Sequence, residues 1–453
     1  MSSKIHALLN DTAGRAGDYL AGLDQRKVAP DPAAVAALEA LDGELPEAGC
    51  DPREVIGLLD RYGSAATVAM AGPRYFGFVT GGALPAALAA NWLATAWDQN
   101  SFLHNTTPAT ARLEQVALRW LLELFGLPPQ CGGAFVTGAT VANFVALVAA
   151  RHRVLAAAGW NVEADGLFGA PSISVIVGEE VHPTVIKSLG MLGLGRNRVL
   201  RVPVDGQGRM LVGRLPEIEP PAIVCMQVGN VNTGACDDVA AAREHAGTEV
   251  WLHVDGAFGL WARAAPERRP LVRGIEVADS WATDAHKWLN VPYDSGLAFV
   301  RDADTLRAAM AITAEYLPTE SAWRNPSDHT PESSRRSRGV DVWAALRGLG
   351  RSGVAGLVER NCRQARRFAE GLAAAGFEVL NEVVLNQVLV AFGDAERTER
   401  VVAALQDEGT CWCGGTVWQG RTAMRISVSS WATTDTDVER SIDAIRRVAD
   451  ATA

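Results

Sequence analysis

Two hydrophobic periods alternate along most of this chain. Residues 110–125 place Leu113, Val116, Ala117, Trp120 and Leu121 at helical spacing, and Gly126 and Pro128 stop the run. A second helix is predicted over 143–158, after a glycine-containing turn. Four short, nearly all-apolar runs rich in β-branched residues occur at 173–177, 222–228, 250–254 and 297–300. Fully apolar strands alternating with helices predict a parallel sheet covered on both faces. The pattern changes near 353, where a long helix over 354–374 precedes strand-like runs at 383–392 and 423–428. Residues 1–70 read as helical, with Ala- and Leu-rich stretches such as 32–41 broken by Pro and Gly, and are too sparse in core residues to stand alone. The expected division is therefore an N-terminal helical segment (1–70) that docks elsewhere, a large α/β domain (71–352) and a smaller α+β domain (353–453).

Composition narrows the partners. The chain has 453 residues, 48% of them hydrophobic, which is enough for a large core and more than one domain. A net charge of −10 without a basic block argues against nucleic acid and anionic membrane as partners. The first 30 residues are polar, with no apolar leader, and no uninterrupted apolar stretch reaches membrane-spanning length. Seven scattered cysteines read as reduced thiols, so the expected location is cytoplasmic. Cys411-Trp-Cys413 lacks a second pair or a nearby histidine, and no metal site is expected.

Positive charge is carried almost wholly by arginine, with only four lysines among 42 Lys and Arg residues. One lysine, Lys287, lies in Asp284-Ala-His-Lys-Trp288. A lysine amine can lose its proton and form a Schiff base with an aldehyde, which a guanidinium cannot. Upstream, Asp255 ends the apolar run 250–254. A lysine anchor with a carboxylate that keeps a pyridine nitrogen protonated is what pyridoxal 5'-phosphate (PLP) requires. A structural salt bridge with an arginine is the alternative role for Asp255.

Other residues gain meaning from that pair. Gly138, Ala139 and Thr140 open the helix after 136, where free N–H groups attract an anion, although an ordinary Gly-Thr cap has the same sequence. His182 follows the strand at 173–177 and could stack on a pyridine ring or simply cap a helix. Asp284 and His286 flank Lys287 within reach of a phosphate, and Ala257 follows Asp255. His253 reads as a satisfied core residue.

Together His182, the turn at 137–140, His253-Val-Asp-Gly-Ala257 and Asp284-Ala-His-Lys-Trp288 resemble the group II PLP-dependent amino acid decarboxylases, which include aromatic-L-amino-acid, tyrosine, histidine and glutamate decarboxylases. Leu113-Glu-Gln-Val-Ala-Leu-Arg-Trp-Leu121 and Ser334-Arg-Arg-Ser-Arg338 extend the likeness, which covers roughly 70–430 in order. The resemblance implies fold type I, with a mixed, mostly parallel seven-stranded sheet. It also implies an obligate homodimer whose active site lies at the subunit interface and whose N-terminal segment wraps the partner. Lys287, Asp255, His182, Gly138, Ala139, Thr140, Ala257, Asp284 and His286 would bind the cofactor. Substrate amine would displace Lys287, the bond from Cα to the carboxylate would break, and protonation at Cα would give an amine and CO2.

Two expectations concern what the cofactor leaves open. Many relatives carry a loop tyrosine that donates the Cα proton, and the loop at 318–334 has none. Tyr316 precedes it, and Trp323, Asp328 and His329 lie within it. His329 is the candidate donor, against a solvated loop residue, and without a donor oxygen could divert the reaction to an aldehyde. Phe76, Phe78 and Val79 align with the family's substrate segment, with Trp92 and Trp97 nearby on a helix, and favour an aromatic or bulky apolar amino acid over polar ones. Carbon–carbon lyase or aminotransferase chemistry, the latter drawing on Arg425, and a non-catalytic cofactor-binding dimer are the remaining readings.

Overall fold

A computed structural model describes residues 2–312 and 323–452. Tyr316 and the first part of the loop at 318–334 lie outside the described residues. Two compact units are present: residues 83–366 with 381–388, and residues 1–82 with 367–380 and 389–453. The N-terminal residues thus cluster with the C-terminal ones, which differs from the three-part division expected at 70 and 352. The long helix Arg338–Ala374, broken by non-helical backbone at Gly350, carries the chain through the second of these positions without a linker.

The larger unit is built on seven strands: β1 (Gly132–Val136), β2 (Ser174–Gly178), β3 (Leu200–Val202), β4 (Ala222–Gln227), β5 (Trp251–Asp255), β6 (Ser280–Asp284) and β7 (Gly296–Val300). Their order is β1-β7-β6-β5-β4-β2-β3, and only β7 runs antiparallel to its neighbours. The apolar runs of the sequence became β2, β4, β5 and β7. The helix Ala139–Ala157 packs against β1, β5, β6 and β7 and against the helices Pro183–Met191 and Ala303–Met310. Ala142, Val145, Ala146 and Ala149 are fully buried, so this helix, the one described segment long and apolar enough to cross a membrane, forms part of the core. Its small residues let it lie close to the strands.

Glu114 and Arg335, one from each of the two flanking stretches of resemblance, hold β1 in place. Buried Glu114 accepts from Arg335 at 2.9 Å and Arg324 at 2.7 Å, while Arg335 also donates to the Phe135 carbonyl at 2.7 Å. Burial would raise the Glu114 pKa, but the Arg335 and Arg324 guanidinium groups hold it below the ordinary range.

The smaller unit contains β8 (Glu378–Val379), β9 (Gln387–Ala391), β10 (Gly414–Trp418) and β11 (Arg421–Ser427), in the order β10-β11-β9-β8. Gln419 and Gly420, both at positive φ, make the two-residue turn between β10 and β11. Buried Arg74 pairs with Asp24 at 2.7 Å and Asp437 at 3.0 Å, tying the N-terminal segment to the helix Asp435–Ala451. Here α-helices and an antiparallel sheet form the expected α+β arrangement.

Candidate active site

Parallel strands of the larger unit end on one side of the sheet, the side on which open α/β folds bind ligands. Asp255 is the last residue of β5, and Asp284 the last of β6. A cavity of about 240 Å³ opens there, lined by Gly138, Ala139, Thr140, His182, Asp255, Ala257, Asp284, His286 and Lys287. All nine expected cofactor residues therefore meet in one place.

Each is held by its local structure. Lys287 lies three residues past β6, and its Nζ is 3.1 Å from Asp284 Oδ2. Asp284 Oδ1 accepts from the Ala139 N–H at 2.6 Å, and the Asp284 carbonyl accepts from Trp261 Nε1 at 2.9 Å. A carboxylate thus already meets the start of the helix Ala139–Ala157, as the dipole favours. The first N–H of the helix, expected for the phosphate, is here taken up by Asp284. His286 Nδ1 accepts from the Ser295 N–H at 3.1 Å, which leaves the proton of the neutral ring on Nε2, 3.6 Å from Asp284 Oδ1. Burial lowers the His286 pKa, Asp284 opposes this, and the Lys287 charge adds to it.

His182 both caps a helix and faces the cavity. Its Nδ1 accepts from the Thr184 N–H at 3.3 Å and lies 2.7 Å from Thr184 Oγ1, at the start of the helix Pro183–Met191. The capping role weighed for it is present, and capping through Nδ1 fixes the plane of a ring that lines the cavity. Burial pushes the Asp255 pKa up, opposed by His182 and Lys287, so this carboxylate needs a cationic partner to stay ionised.

The remaining expected residues are not among those that line this cavity. His329 is buried in the short 3₁₀ turn Pro326–His329, where Nδ1 donates to the Asn325 carbonyl at 3.1 Å. Burial and the neighbouring Arg324 depress its pKa well below the usual value. It is therefore not a solvated loop residue, and the neutral ring, with its proton on Nδ1, has none on Nε2 to give. Phe76, Phe78 and Val79 belong to the smaller unit. Phe76 packs edge-on against Phe368 and is fully buried, as is Val79, so neither forms a wall as expected. Phe78 is 62% exposed beside Trp412. Trp92 and Trp97 are exposed on the helix Pro85–Trp97.

Sequence reasoning missed several neighbours. Gln227, the last residue of β4, and Gly229, just past it, line the cavity, and the strand-end rule would have found them. Gly229 has φ 89°, and a Cβ there would lie 2.8 Å from Gly259 Cα. Tyr293 stacks on His286 with ring centroids 4.3 Å apart. No sequence signal pointed to that contact.

PLP fits these residues. A lysine amine, a buried carboxylate with no direct ion pair among the described residues and a helix start that accepts an anion line the same cavity. Gly296 of β7 also lies so close to Gly138 that a Cβ there would be 2.4 Å from its Cα, so the anion-binding turn is seated directly on the sheet. Such a cavity at the strand ends of a mixed seven-stranded sheet defines a PLP enzyme of fold type I.

Comparison with known proteins narrows the class. The pyridoxal-dependent decarboxylase conserved domain matches residues 55–393, and the chain belongs to that family of PLP-dependent amino acid carboxy-lyases. Tryptophan decarboxylase 1 of Oryza sativa subsp. japonica is 27% identical over 401 residues, covering 80% of this chain and 77% of the relative. Histidine decarboxylase of Drosophila melanogaster is 28% identical, covering 95% of this chain but only 53% of the longer relative. Phenylacetaldehyde synthase of Arabidopsis thaliana is 25% identical, covering 81% and 80%. Among solved structures, Oryza sativa TDC with PLP and tryptamine superposes with a TM-score of 0.92 at 23% identity, covering 100% of this chain and 98% of the other. That likeness establishes the fold.

Proposed function

We propose that the enzyme removes the α-carboxyl group of an L-amino acid with an aromatic or bulky apolar side chain, releasing the amine and CO2, and that it works as a homodimer. The observation that carries the reaction is the meeting of Lys287, Asp255 and His182 at one cavity. Bound PLP supplies an aldehyde that captures amines and a ring that accepts the electron pair left by a departing carboxylate. Lys287 would hold the cofactor, and Asp284, 3.1 Å from its amine, steadies the charge of that amine. Asp255 keeps a proton on the ring nitrogen. His182, fixed through Nδ1, provides a flat face that orients the ring and shields it from water.

The side-chain preference rests on Phe78 and on the aromatic substrates named for several relatives. Phe78 and Val79 both adopt left-handed backbone, at φ 52° and 61°, a conformation that is strained for a phenylalanine and more so for a valine. Such strain collects at ligand-binding positions, and here it holds the Phe78 ring out from a buried segment. Dimerisation is supported by apolar side chains left exposed on helices, among them Trp92, Leu93 and Trp97.

A second reading has its own support. With no tyrosine in the loop and His329 buried and neutral, the chain shows no strong acid for Cα there, and oxygen and water could convert the same substrate to an aldehyde, CO2, ammonia and hydrogen peroxide. Purified, PLP-loaded enzyme incubated with a mixture of amino acids, with products scored by mass and peroxide by a coupled dye, separates the two. Aromatic amine without peroxide supports the proposal, and aldehyde with peroxide overturns it in favour of the second reading. Light scattering of the same sample tests the dimer, and a monomer mass would refute it.

A further inference from the structure

Behind the cavity runs a buried chain of polar groups that belongs to no packing requirement of the sheet. Trp251 Nε1 donates to Ser280 Oγ at 2.9 Å, Ser280 Oγ lies 2.9 Å from His253 Nδ1, and His253 Nε2 lies 2.9 Å from Asn143 Oδ1. Ser280, His253 and Asn143 are each 0% exposed. The chain crosses the larger unit from β6 through β5 to the helix Ala139–Ala157, and the Asn143 side chain in turn acts on the Asp255 carboxylate. Asn143 Nδ2 is buried and makes no hydrogen bond, so it is the donor left to face the Asp255 carboxylate, whose ionised form Asn143 favours.

Donor and acceptor counting fixes the protons. Ser280 Oγ accepts from the indole, so its own hydrogen is free to go to His253 Nδ1. A fully buried imidazole with no carboxylate on either nitrogen stays neutral, and burial lowers the His253 pKa to about 3. With Nδ1 accepting, the ring proton sits on Nε2 and must go to an acceptor, so the Asn143 carbonyl oxygen turns toward His253. The Asn143 NH2 then faces Asp255. The flipped amide would set two acceptors, Asn143 Oδ1 and the carboxylate, against each other in a buried site and leave the His253 proton without a partner.

We propose that His253 and Asn143 are positioning residues for the reaction: His253 fixes the orientation of the Asn143 amide so that its NH2 stabilises Asp255 as a carboxylate, and this keeps the proton of the pair on the cofactor's ring nitrogen. The inference rests on the reading of Asp255 as the partner of that nitrogen. Two residues apart on β5, His253 and Asp255 lie on the same face of the strand, and the helix residue Asn143 bonds His253 through its oxygen while its unpartnered NH2 is left for Asp255. A residue that composition would assign to the core thereby sets the electronic state of the site. Without the amide, the shared proton moves toward Asp255, the ring is left neutral, and it withdraws electrons less strongly.

The test uses holoenzyme carrying PLP isotopically labelled at its ring nitrogen, read by nitrogen NMR alongside kcat and KM. In the wild type the signal is that of a protonated ring. In Asn143→Ala and in His253→Phe it moves toward the neutral-pyridine position. In the same two variants kcat falls about tenfold, the size of one hydrogen bond to a charged group, while KM changes little. His253→Gln, whose amide can still donate to Asn143, restores the wild-type signal. Asn143→Ala leaves the Ser280–His253 contact intact, so it reports even if His253→Phe does not fold. A wild-type ring signal in Asn143→Ala overturns the proposal, whatever happens to thermal stability. Asp255→Asn separates the two levels of argument: no shift there removes the underlying role of Asp255, whereas a shift there alone removes only the relay.

Discussion

Gly296→Ala is expected to cost the enzyme its cofactor rather than its fold. A Cβ at this position would lie 2.4 Å from both Cα and the carbonyl carbon of Gly138 and 2.7 Å from its nitrogen. Carbon atoms pack at about 3.5–4.0 Å, so roughly 1 Å of separation has to be found. Strand β7 cannot supply it, because it is paired along its whole length with β1 on one side and β6 on the other. The displacement therefore falls on the turn at Gly138 and on the first turn of the helix Ala139–Ala157, including the 2.6 Å bond from Ala139 to Asp284. Overpacking of this kind costs about 1–3 kcal/mol of stability. Misplacing a binding group by about 1 Å costs on the order of 100-fold, or about 2.7 kcal/mol. Titration of the apo-protein with PLP, followed by absorbance, should show a Kd raised by about that factor while the thermal transition stays cooperative. Gly415→Ala is the control, since a Cβ there meets nothing within 4 Å. Wild-type affinity in Gly296→Ala, or an equal loss in Gly415→Ala, would refute the packing argument.

Further outcomes follow from other parts of the structure. Asp341 is buried with Oδ2 accepting from Asn91 at 2.8 Å and Oδ1 unpartnered, and burial raises its pKa to about 6. Its ionisation therefore destabilises the fold progressively as pH rises from about 4 to about 6, and Asp341→Asn should stabilise by at most about 3 kcal/mol near pH 8 and by nothing near pH 4. Equal effects at both pH values in chemical denaturation would rule this out. Phe78→Ala should raise KM for an aromatic substrate by about tenfold with kcat little changed, as lost apolar contact predicts, and an unchanged KM would remove Phe78 from the substrate site. His329→Phe should leave the ratio of amine to aldehyde as in the wild type, and a shift toward aldehyde would reinstate His329 as the proton donor.

Much of this was legible before any coordinates, for a physical reason. Strands β2, β4, β5 and β7 are buried and apolar, so each announced itself as a run of β-branched residues. Strand β6 did not: Ser280-Trp-Ala-Thr-Asp284 is fully buried yet polar at three of five positions, because Ser280 and Asp284 hydrogen-bond across the larger unit. The glycines of β1 hid it in the same way, by trading side chains for close approach to Leu118 and to the helix Ala303–Met310. At the site, Lys287, Asp255 and His182 were readable because each follows its strand closely in sequence. The contact of Asn143 with His253 spans 110 residues and exists only once the helix lies on the sheet. Phe76 was misread because a hydrophobic residue near a pocket motif looks the same whether it faces ligand or core.

The central claim is that Lys287 is the cofactor's anchor, and the scarcity of lysine makes it directly testable. Holoenzyme reduced with borohydride, digested and mapped by mass spectrometry can carry the trapped cofactor on Lys4, Lys27, Lys187 or Lys287 and on no other lysine of the chain. The adduct is expected on the Lys287 peptide alone, with Lys287→Ala showing neither adduct nor the visible absorbance of the bound cofactor. An adduct on another lysine, or undiminished absorbance in Lys287→Ala, would contradict the account.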